Sequence, residues 1–297
     1  MMLLWLSLVS GAMAERLKPF ILADVQPGSL SAVVEQVSTK LRQAGFRIVG
    51  SYAPYGDAYV IAVTSPELLR IARKDHNAAW LAAMRVAATR VGGKVQVSYL
   101  NPAYFRHAYR IEPSLSAVAD RLRDALGRHL AFGARRMTAK KLRRYHYAFG
   151  MEYFDDQVEL ADYDDHKQAL RKVREQMRMH RGKVSQVYQV DIPGTKRTLI
   201  GVQIKKGDGA DQLIMQRIDK SRYRHTAHLP YEILIDDGKV LALHPRFRIA
   251  IDFPDLKMSG QPSFFQIINS PTAIIQTLTE AVGGENSTEG SADFFRD

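Results

Sequence analysis

The residues best suited to bind a ligand are phenol, amide and imidazole side chains around one Asn-Pro pair. Tyr99, Asn101, Tyr104 and His107 lie at the end of a predicted hairpin strand and in the turn after it, and His244 precedes a proline later in the chain. Binding groups commonly collect where strands end. We take these five as candidate ligand-binding residues. The alternative is that Asn101 shapes a turn while the tyrosines pack in the sheet and core.

Three histidines in the second half could together hold a zinc ion. His225 and His228 are three residues apart, and His244 lies on the adjacent predicted hairpin. Imidazole is a common zinc ligand, but the neighbouring Arg222 and Arg224 would repel a cation and offer no carboxylate support. We therefore expect no metal site here.

A group of acidic residues and one histidine, Asp162, Asp164, Asp165 and His166, also resembles a set of metal ligands. Aspartate immediately before a helix is the ordinary N-cap residue, because its carboxylate accepts hydrogen bonds from the first backbone N–H groups. We predict capping for this group.

The sequence contains no motif of a known catalytic or nucleotide-binding site. Gly-x-Ser-x-Gly, His-Glu-x-x-His, a phosphate loop and a dinucleotide fingerprint are all missing. The chain has no cysteine, which excludes thiol chemistry, disulfides and Cys-x-x-Cys-His haem attachment. We expect no cofactor and favour a protein that is not an enzyme. A hydrolase with His107 or His244 as general base is the less favoured alternative.

The chain is strongly basic, with a net charge of +11, and much of this charge is local. Nine Lys or Arg stand between Arg121 and Arg144 against one acid, Asp124. With Phe132, Tyr145 and Tyr147 interleaved, part of this run could bind a polyanion or anionic headgroups. The alternative is a solvated linker, or an arm docked on acidic residues. The candidate anion-binding residues are Arg135, Arg136, Lys140, Lys141, Arg143 and Arg144.

The N-terminus has the pattern of a secretory signal peptide. Leu3 to Val9 form an apolar run, followed by the small-x-small sequence Ala12-Met13-Ala14. The run is shorter than the ~20 residues that span a bilayer, and no Lys or Arg precedes it. We predict a signal peptide over 1–14, a mature chain from Glu15, and a periplasmic or secreted protein. Nucleic acid is therefore not an expected partner.

Hydrophobic periodicity and turn signals predict the elements. Ser29 or Ser31 caps a helix that Gly45 ends, and Gly92-Gly93 joins the strands of a hairpin. In the second half a strand is predicted between Tyr145 and Val158, and a helix capped by Asp208. In both halves the predicted order of elements is strand, helix, two strands, helix, hairpin and helix. This pattern predicts an α+β fold with helices largely on one sheet face.

The two halves also share sequence. Val60-Ile61-Ala62-Val63 returns as Leu199-Ile200-Gly201-Val202, and Gly93-Lys94-Val95 as Gly238-Lys239-Val240. The offset is 145 residues from Gly93 to Gly238 and also from Leu68 to Leu213. We predict a tandem duplication with a first unit over 15–127, a basic linker over 128–144, a second unit over 145–282 and a disordered tail over 283–297.

One stretch resembles a known family. The sequence from Gly93 to Tyr104, with the trailing His107-Ala108-Tyr109-Arg110, is similar to the domain of unknown function 302 family. The resemblance covers about residues 18–112 and reaches 145–255 through the repeat, where Leu-Asn-Pro has become Leu-His-Pro. It implies small α+β units that often form dimers, so a tandem pair would imitate a dimer within one chain. It implies no activity and no catalytic residues.

These observations favour an exported, non-catalytic binding or accessory protein that recognises a small ligand or an envelope partner. The alternative is an electrostatic adaptor that binds anionic surfaces through the basic linker. A cleft lined by both units would favour the first hypothesis, and an exposed basic surface would favour the second.

Overall fold

The fold is known from a computed structural model, which describes residues 15–285. The predicted signal peptide lies outside the described residues, as does the predicted tail from residue 286 onward. The strands in chain order are β1 (Phe20–Gln26), β2 (Arg47–Tyr55), β3 (Ala58–Thr64), β4 (Met84–Val91), β5 (Lys94–Leu100), β6 (Leu130–Phe132), β7 (Val158–Asp162), β8 (Val184–Ile192), β9 (Arg197–Ile204), β10 (Tyr231–Asp236) and β11 (Lys239–Ala242).

Helices alternate with these strands along the chain. They are α1 (Leu30–Gln43), α2 (Pro66–Lys74), α3 (Pro102–Ala108), α4 (Ser116–Leu126), α5 (Ala139–Leu142), α6 (His166–Met179), α7 (Asp211–Ile218), α8 (Pro245–Asp252) and α9 (Ser270–Val282). Short 3₁₀ turns occupy Asn77–Leu81, Thr226–His228 and Phe264–Ile267. The predicted α+β class is confirmed.

Among the described residues, all the strands join one antiparallel sheet, in the order β6-β1-β5-β4-β3-β2-β8-β9-β10-β11-β7. The order outward from the central β2–β8 pair is β3, β4, β5, β1 and then the edge strand β6 on one side, and β9, β10, β11, β7 on the other. β1 to β5 belong to the first half (residues 15–127), and β7 to β11 to the second half (residues 145–282).

The two halves meet where Gly50 of β2 lies opposite Tyr188 of β8. A Cβ atom on Gly50 would lie 2.0 Å from the carbonyl oxygen of Val187. Only glycine therefore allows the two strands to approach so closely. On the next strand, a Cβ on Gly201 would lie 2.2 Å from Cε1 of Tyr188, so the tyrosine ring lies directly on that glycine.

The helix starts follow the capping rules. The Ser29 side chain accepts a hydrogen bond from the N–H of Ala32, and Asp165 accepts one from Gln168. Ser65 caps α2, with Pro66 at the first helical position where its missing N–H costs nothing. The predicted N-cap role is confirmed for Ser29 and for Asp165.

Three local predictions were wrong or incomplete. The strand predicted between Tyr145 and Val158 begins only at Val158, and the residues before it pack through side chains: the hydroxyl groups of Tyr145 and Tyr147 donate to the carbonyls of Ala250 and Leu256. Helix α7 begins at Asp211 rather than at Asp208, and the Asp211 side chain is buried. The sequence after Asn101-Pro102 and after His244-Pro245 forms helices α3 and α8, where no helix was predicted.

The segment 128–144, predicted to be a linker, contains an edge strand and a short helix. β6 pairs with β1, where Phe20 lies opposite Phe132, and α5 contacts α3. Thr138 caps α5 by accepting a hydrogen bond from the N–H of Lys141. The segment is therefore packed on the first half.

Besides the shared sheet, each half packs a short turn against strands of the other half. The turn Asn77–Leu81 of the first half contacts β9 and β10, and the turn Thr226–His228 of the second half contacts β3, β4 and β5. Trp80 and Thr226 are fully buried in these contacts. Within residues 15–285, the helices are too short or too polar to cross a bilayer.

Candidate functional site

Two of the candidate ligand-binding residues point into the protein. Tyr99 and Tyr104 are buried. The Tyr99 hydroxyl donates a hydrogen bond to the carbonyl of Gly127 over 3.1 Å, and the Tyr104 hydroxyl donates to the carbonyl of Ile251 over 2.8 Å. Both phenol groups therefore have internal partners, and burial raises both pKa values.

Asn101 and His244 serve as matching helix caps. The Asn101 side chain accepts a hydrogen bond from the N–H of Ala103 over 3.1 Å, and Nδ1 of His244 accepts one from Arg246 over 3.2 Å. Nε2 of His244 lies 3.3 Å from the Glu152 carboxylate. Burial lowers the pKa of His244, which fits an unprotonated Nδ1 that accepts.

His107 lies in the last turn of α3 and is half-buried. Among the described residues its buried Nδ1 has no hydrogen-bond partner. Burial lowers the pKa of this imidazole as well. None of the five candidate ligand-binding residues lines the groove described next.

A groove of about 500 Å³ separates the second half from the first half and from the segment 128–144 that is packed on it. One wall comes from Lys18 and from the end of β6, including Phe132 and Arg135. The other wall comes from the loop after α7, residues 221–225, and from the loop after α8, residues 253–262. Its size is ordinary for a small-molecule site.

Aromatic rings form the floor of this groove. The aromatic floor consists of Phe132, Tyr223, His225 and Phe253. His225 stacks on Phe253 with ring centroids 4.6 Å apart, and Phe132 lies 5.6 Å from Tyr223 and 5.5 Å from His225. Tyr223 is the most exposed of the four, so its ring is the surface that a planar ligand would contact first.

His225 is held neutral in this floor. Burial, with a contribution from the charge of Arg224, lowers its pKa to about 3. Its Nδ1 lies 3.1 Å from the Asp252 carbonyl, to which a neutral imidazole donates. At neutral pH the ring therefore acts as an aromatic surface and not as a cation.

The rim of the groove is basic. Lys18, Arg135, Arg222 and Lys257 line it together with a single carboxylate, that of Asp255. Asp255 forms an ion pair with Arg135 over 3.2 Å. The Arg222 guanidinium lies over the Tyr223 ring, 5.2 Å from its centroid, a cation–π arrangement. The excess of cations favours an anionic ligand.

A second polar cluster is closed off from solvent. His228 Nδ1 contacts the carboxylate of Asp252, which also pairs with Arg248. All three side chains are almost completely buried. Desolvation, with a smaller contribution from the charge of Arg248, lowers the pKa of His228 well below its usual value. Although an Asp-His pair can act as a general base, no substrate reaches one buried in this way, and its role is structural.

The three histidines that were weighed as possible zinc ligands lie in different surroundings. His225 and His228 are buried among rings and charged partners, whereas His244 caps α8. In the part of the chain that the structure describes, no three His, Cys, Asp or Glu side chains are grouped to hold a metal ion.

The six predicted anion-binding residues divide into two sets. Arg135 and Arg143 form ion pairs, with Asp255 and with Glu112. The other four, Arg136, Lys140, Lys141 and Arg144, are exposed. A shallow surface depression, here the cationic depression, is lined by Thr138, Lys140, Lys141, Arg144, Tyr145 and His146.

Sequence patterns predict the basic segment but do not predict the groove. The one local sequence signal of the groove is the alternation of basic and aromatic residues at Arg222, Tyr223, Arg224 and His225. Phe132 and Phe253 are far apart in sequence, so only the folded chain brings them to the same floor.

The fold and groove define an α+β protein with a candidate binding site between two similarly arranged halves. No family model matches the chain, and no curated protein matches it. A structural neighbour is described as the crystal structure of uncharacterized conserved protein DUF302 from Bacillus stearothermophilus. It has a TM-score of 0.32 and 13% identity, over 35% of this chain and 92% of that one. A score this low carries no argument, and the family membership suggested by the sequence stays a prediction.

Proposed function

We propose that this chain is an exported, non-catalytic binding protein whose groove takes a small anionic ligand with a planar, apolar part. The observation that carries the proposal is the pairing of an aromatic floor with a basic rim in one groove between the halves. The floor offers ring surface for stacking. The rim offers charge-assisted hydrogen bonds to a carboxylate, sulfonate or phosphate.

The chemistry of the groove favours binding over catalysis. Its one carboxylate, Asp255, is engaged by Arg135, and His225 is neutral and bonded to a backbone carbonyl. General acid–base catalysis needs two titratable groups that converge on a reacting atom. The groove therefore supplies recognition and no proton-transfer pair.

Two further proposals concern the origin and location of the protein. The matching strand orders on either side of β2–β8 support a tandem duplication, in which a second unit takes the place of a dimer partner. The apolar run before Ala12-Met13-Ala14 supports export. N-terminal sequencing of the protein recovered from its host should then begin near Glu15, and retention of Met1 would refute export.

The groove can be tested with a matched pair of dyes. The anionic dye anilinonaphthalene sulfonate should bind more tightly than the neutral dye phenylnaphthylamine, because only the sulfonate gains contacts at the rim. Replacing Arg222 and Lys257 by Gln should weaken sulfonate binding by about tenfold, as expected for loss of charge-assisted hydrogen bonds. Fluorescence titration measures both affinities.

A control removes the same charge elsewhere. Lys94 and Lys167 are exposed and outside the groove, so Lys94→Gln with Lys167→Gln should leave the affinity for the sulfonate nearly unchanged. Equal weakening in both double variants would mean that net charge alone attracts the dye. Equal affinity of the wild type for the two dyes would also overturn the proposal.

A further inference from the structure

An exposed aromatic side chain lies close to the cationic depression. Phe149 is 97% exposed, and it belongs to residues 146–153, here the Phe149 loop. Water-exposed phenylalanine is common as a minor part of a surface, but a side chain that is almost fully exposed buries none of its apolar area. The transfer of this side chain from water into an apolar medium is therefore favourable.

The Phe149 loop is anchored on both sides of this residue. Nδ1 of His146 lies 2.7 Å from the carbonyl of Ala148, to which the N–H of Met151 also donates, over 3.0 Å. The ring of Tyr153 stacks on His146 with centroids 4.5 Å apart. Phe149 therefore projects from a closed turn and not from an extended tether.

The base of the loop joins the rest of the molecule. The Tyr147 hydroxyl donates to the carbonyl of Leu256 over 2.7 Å, and its ring meets Phe264 edge-on at 4.5 Å. His146 belongs both to this loop and to the lining of the cationic depression. Phe149 and the depression are thus parts of one surface.

The charges that line the depression are of one sign. Lys140, Lys141 and Arg144 are exposed, and no carboxylate lines the depression with them. Of the acids in and after the loop, Glu152 pairs with Arg246 and Asp155 pairs with Arg110. Asp156 accepts a hydrogen bond from the N–H of Tyr153 within the loop. The depression therefore presents three cations to a partner, and the nearby acids lie outside its lining.

We propose that this surface docks on an anionic lipid bilayer, with Phe149 inserted at the level of the headgroups and Lys140, Lys141 and Arg144 on lipid phosphates. Basic residues near an anionic membrane each add attraction. An aromatic side chain favours the interface between headgroups and acyl chains. A soluble polyanion would use the cations alone and would leave Phe149 in water, so the exposed ring favours the bilayer.

Insertion can be observed directly with Phe149→Trp. The experiment uses the protein from Glu15 onward, which lacks Trp5 of the predicted signal peptide. Its one native tryptophan, Trp80, is fully buried, so a change on adding lipid reports the new side chain. With vesicles of phosphatidylglycerol and phosphatidylcholine in equal parts, the emission should shift to the blue and be quenched by brominated acyl chains. Pure phosphatidylcholine vesicles should give neither effect.

Sedimentation with the mixed vesicles separates the two contributions. Phe149→Ser should lower the affinity at least about tenfold, as expected when one large apolar side chain no longer leaves water. The triple variant Lys140→Gln, Lys141→Gln, Arg144→Gln should lower it by a similar factor or more and should remove most of its dependence on salt.

Matched controls keep composition constant. Lys94→Gln, Lys167→Gln, Arg171→Gln removes the same charge from exposed positions outside the surface, and Met179→Ser removes a different exposed apolar side chain. Both should bind vesicles almost like the wild type. Equal loss in the charge controls, no effect of Phe149→Ser, or binding to heparin as tight as to vesicles would overturn the proposal. The groove and its dye binding are not involved in any of these outcomes.

Discussion

The buried carboxyl group of Asp211, in the first turn of α7, links the two halves. Its Oδ2 accepts a hydrogen bond from the Tyr52 hydroxyl over 2.7 Å, and its Oδ1 accepts one from the N–H of Ile204 over 3.2 Å. Burial nevertheless raises its pKa to about 7, because desolvation outweighs these two hydrogen bonds. The folded protein therefore holds a proton that the unfolded chain releases near pH 4.

This proton uptake makes the stability depend on pH in a defined direction. Between about pH 4 and pH 7 the unfolded chain binds fewer protons at Asp211 than the folded protein, so the contribution of this group falls as pH rises and is lost above about pH 7. Asp211→Asn keeps a carbonyl acceptor and does not titrate. The free energy of unfolding of the wild type should therefore fall, relative to the variant, by on the order of 4 kcal/mol across this interval, of which about 3 kcal/mol falls between pH 5 and pH 7.

Urea unfolding of both proteins between about pH 5 and pH 8 measures the difference. Asp219, whose pKa burial also raises to about 7, and His225, whose pKa burial lowers, are present in both proteins. Their effects cancel in the comparison. Parallel curves for the wild type and the variant would show that Asp211 ionises normally in the folded state.

At the scale of elements, the contact between β8 and β9 depends on glycine at position 201, which has no side chain. The Tyr188 ring lies on Gly201, and its hydroxyl donates to the Glu232 carboxylate. Gly201→Ala would displace the ring and break that hydrogen bond, at a cost of about 1–3 kcal/mol in the free energy of unfolding. Urea unfolding checks the value, and the near-ultraviolet circular dichroism of the tyrosines checks the displacement.

Gly182→Ala is the matched control. Gly182 is exposed and a Cβ atom there meets nothing within 4 Å, so its replacement should change stability by no more than a few tenths of a kcal/mol. If Gly201→Ala is as mild as this control, Tyr188 does not need its present position, and the packing argument for the central strands is wrong.

The elements also show which information a single sequence carries. Helix α1 begins and ends where predicted, because Ser29 and Gly45 form hydrogen bonds with residues close to them in the sequence. The hairpin at Gly92-Gly93 follows from the same kind of local rule. Helices α3 and α8 were missed, although Asn101 and His244 are local caps, because each helix is short and starts directly from a strand end.

The packing of the central strands and the candidate site both depend on residues that are distant in sequence, so local patterns do not predict them. In the central strands, Tyr188 contacts Gly201 and Glu232. In the groove, the aromatic floor brings Phe132 together with Phe253. The basic segment was predicted from composition alone, but which of its cations are paired depends on Asp255 and Glu112, which the fold brings near. Spacing in sequence contains none of these distances.

At the scale of the whole molecule, one buried ion pair joins strands that are not neighbours in the sheet. Arg85 of β4 and Glu232 of β10 lie 2.6 Å apart and are almost completely excluded from water. Nε of Arg85 also donates to the carbonyl of Ala227 over 2.9 Å. Because each residue belongs to a different half, the pair couples the stability of the two halves.

Glu232→Gln should therefore destabilise the entire chain and not one half. Loss of the carboxylate leaves the Arg85 charge buried without compensation, which typically costs 3–5 kcal/mol, roughly the effect of breaking any buried ion pair. Urea unfolding followed by far-ultraviolet circular dichroism should show a transition that moves to lower urea as one step. Two separate steps would mean that the halves unfold independently.

The double variant Arg85→Met with Glu232→Leu distinguishes the ion pair from simple packing. Removing both charges abolishes the desolvation cost together with the attraction, so this variant should recover much of the stability that Glu232→Gln loses. Arg85→Met alone should be destabilised, because it leaves the buried Glu232 carboxylate without its cation, with the hydrogen bond from the Tyr188 hydroxyl still in place. The cycle is closed by Glu232→Leu alone. If the effects of Arg85→Met and of Glu232→Leu simply add in the double variant, the two side chains are not coupled, and the sheet alone holds the halves together.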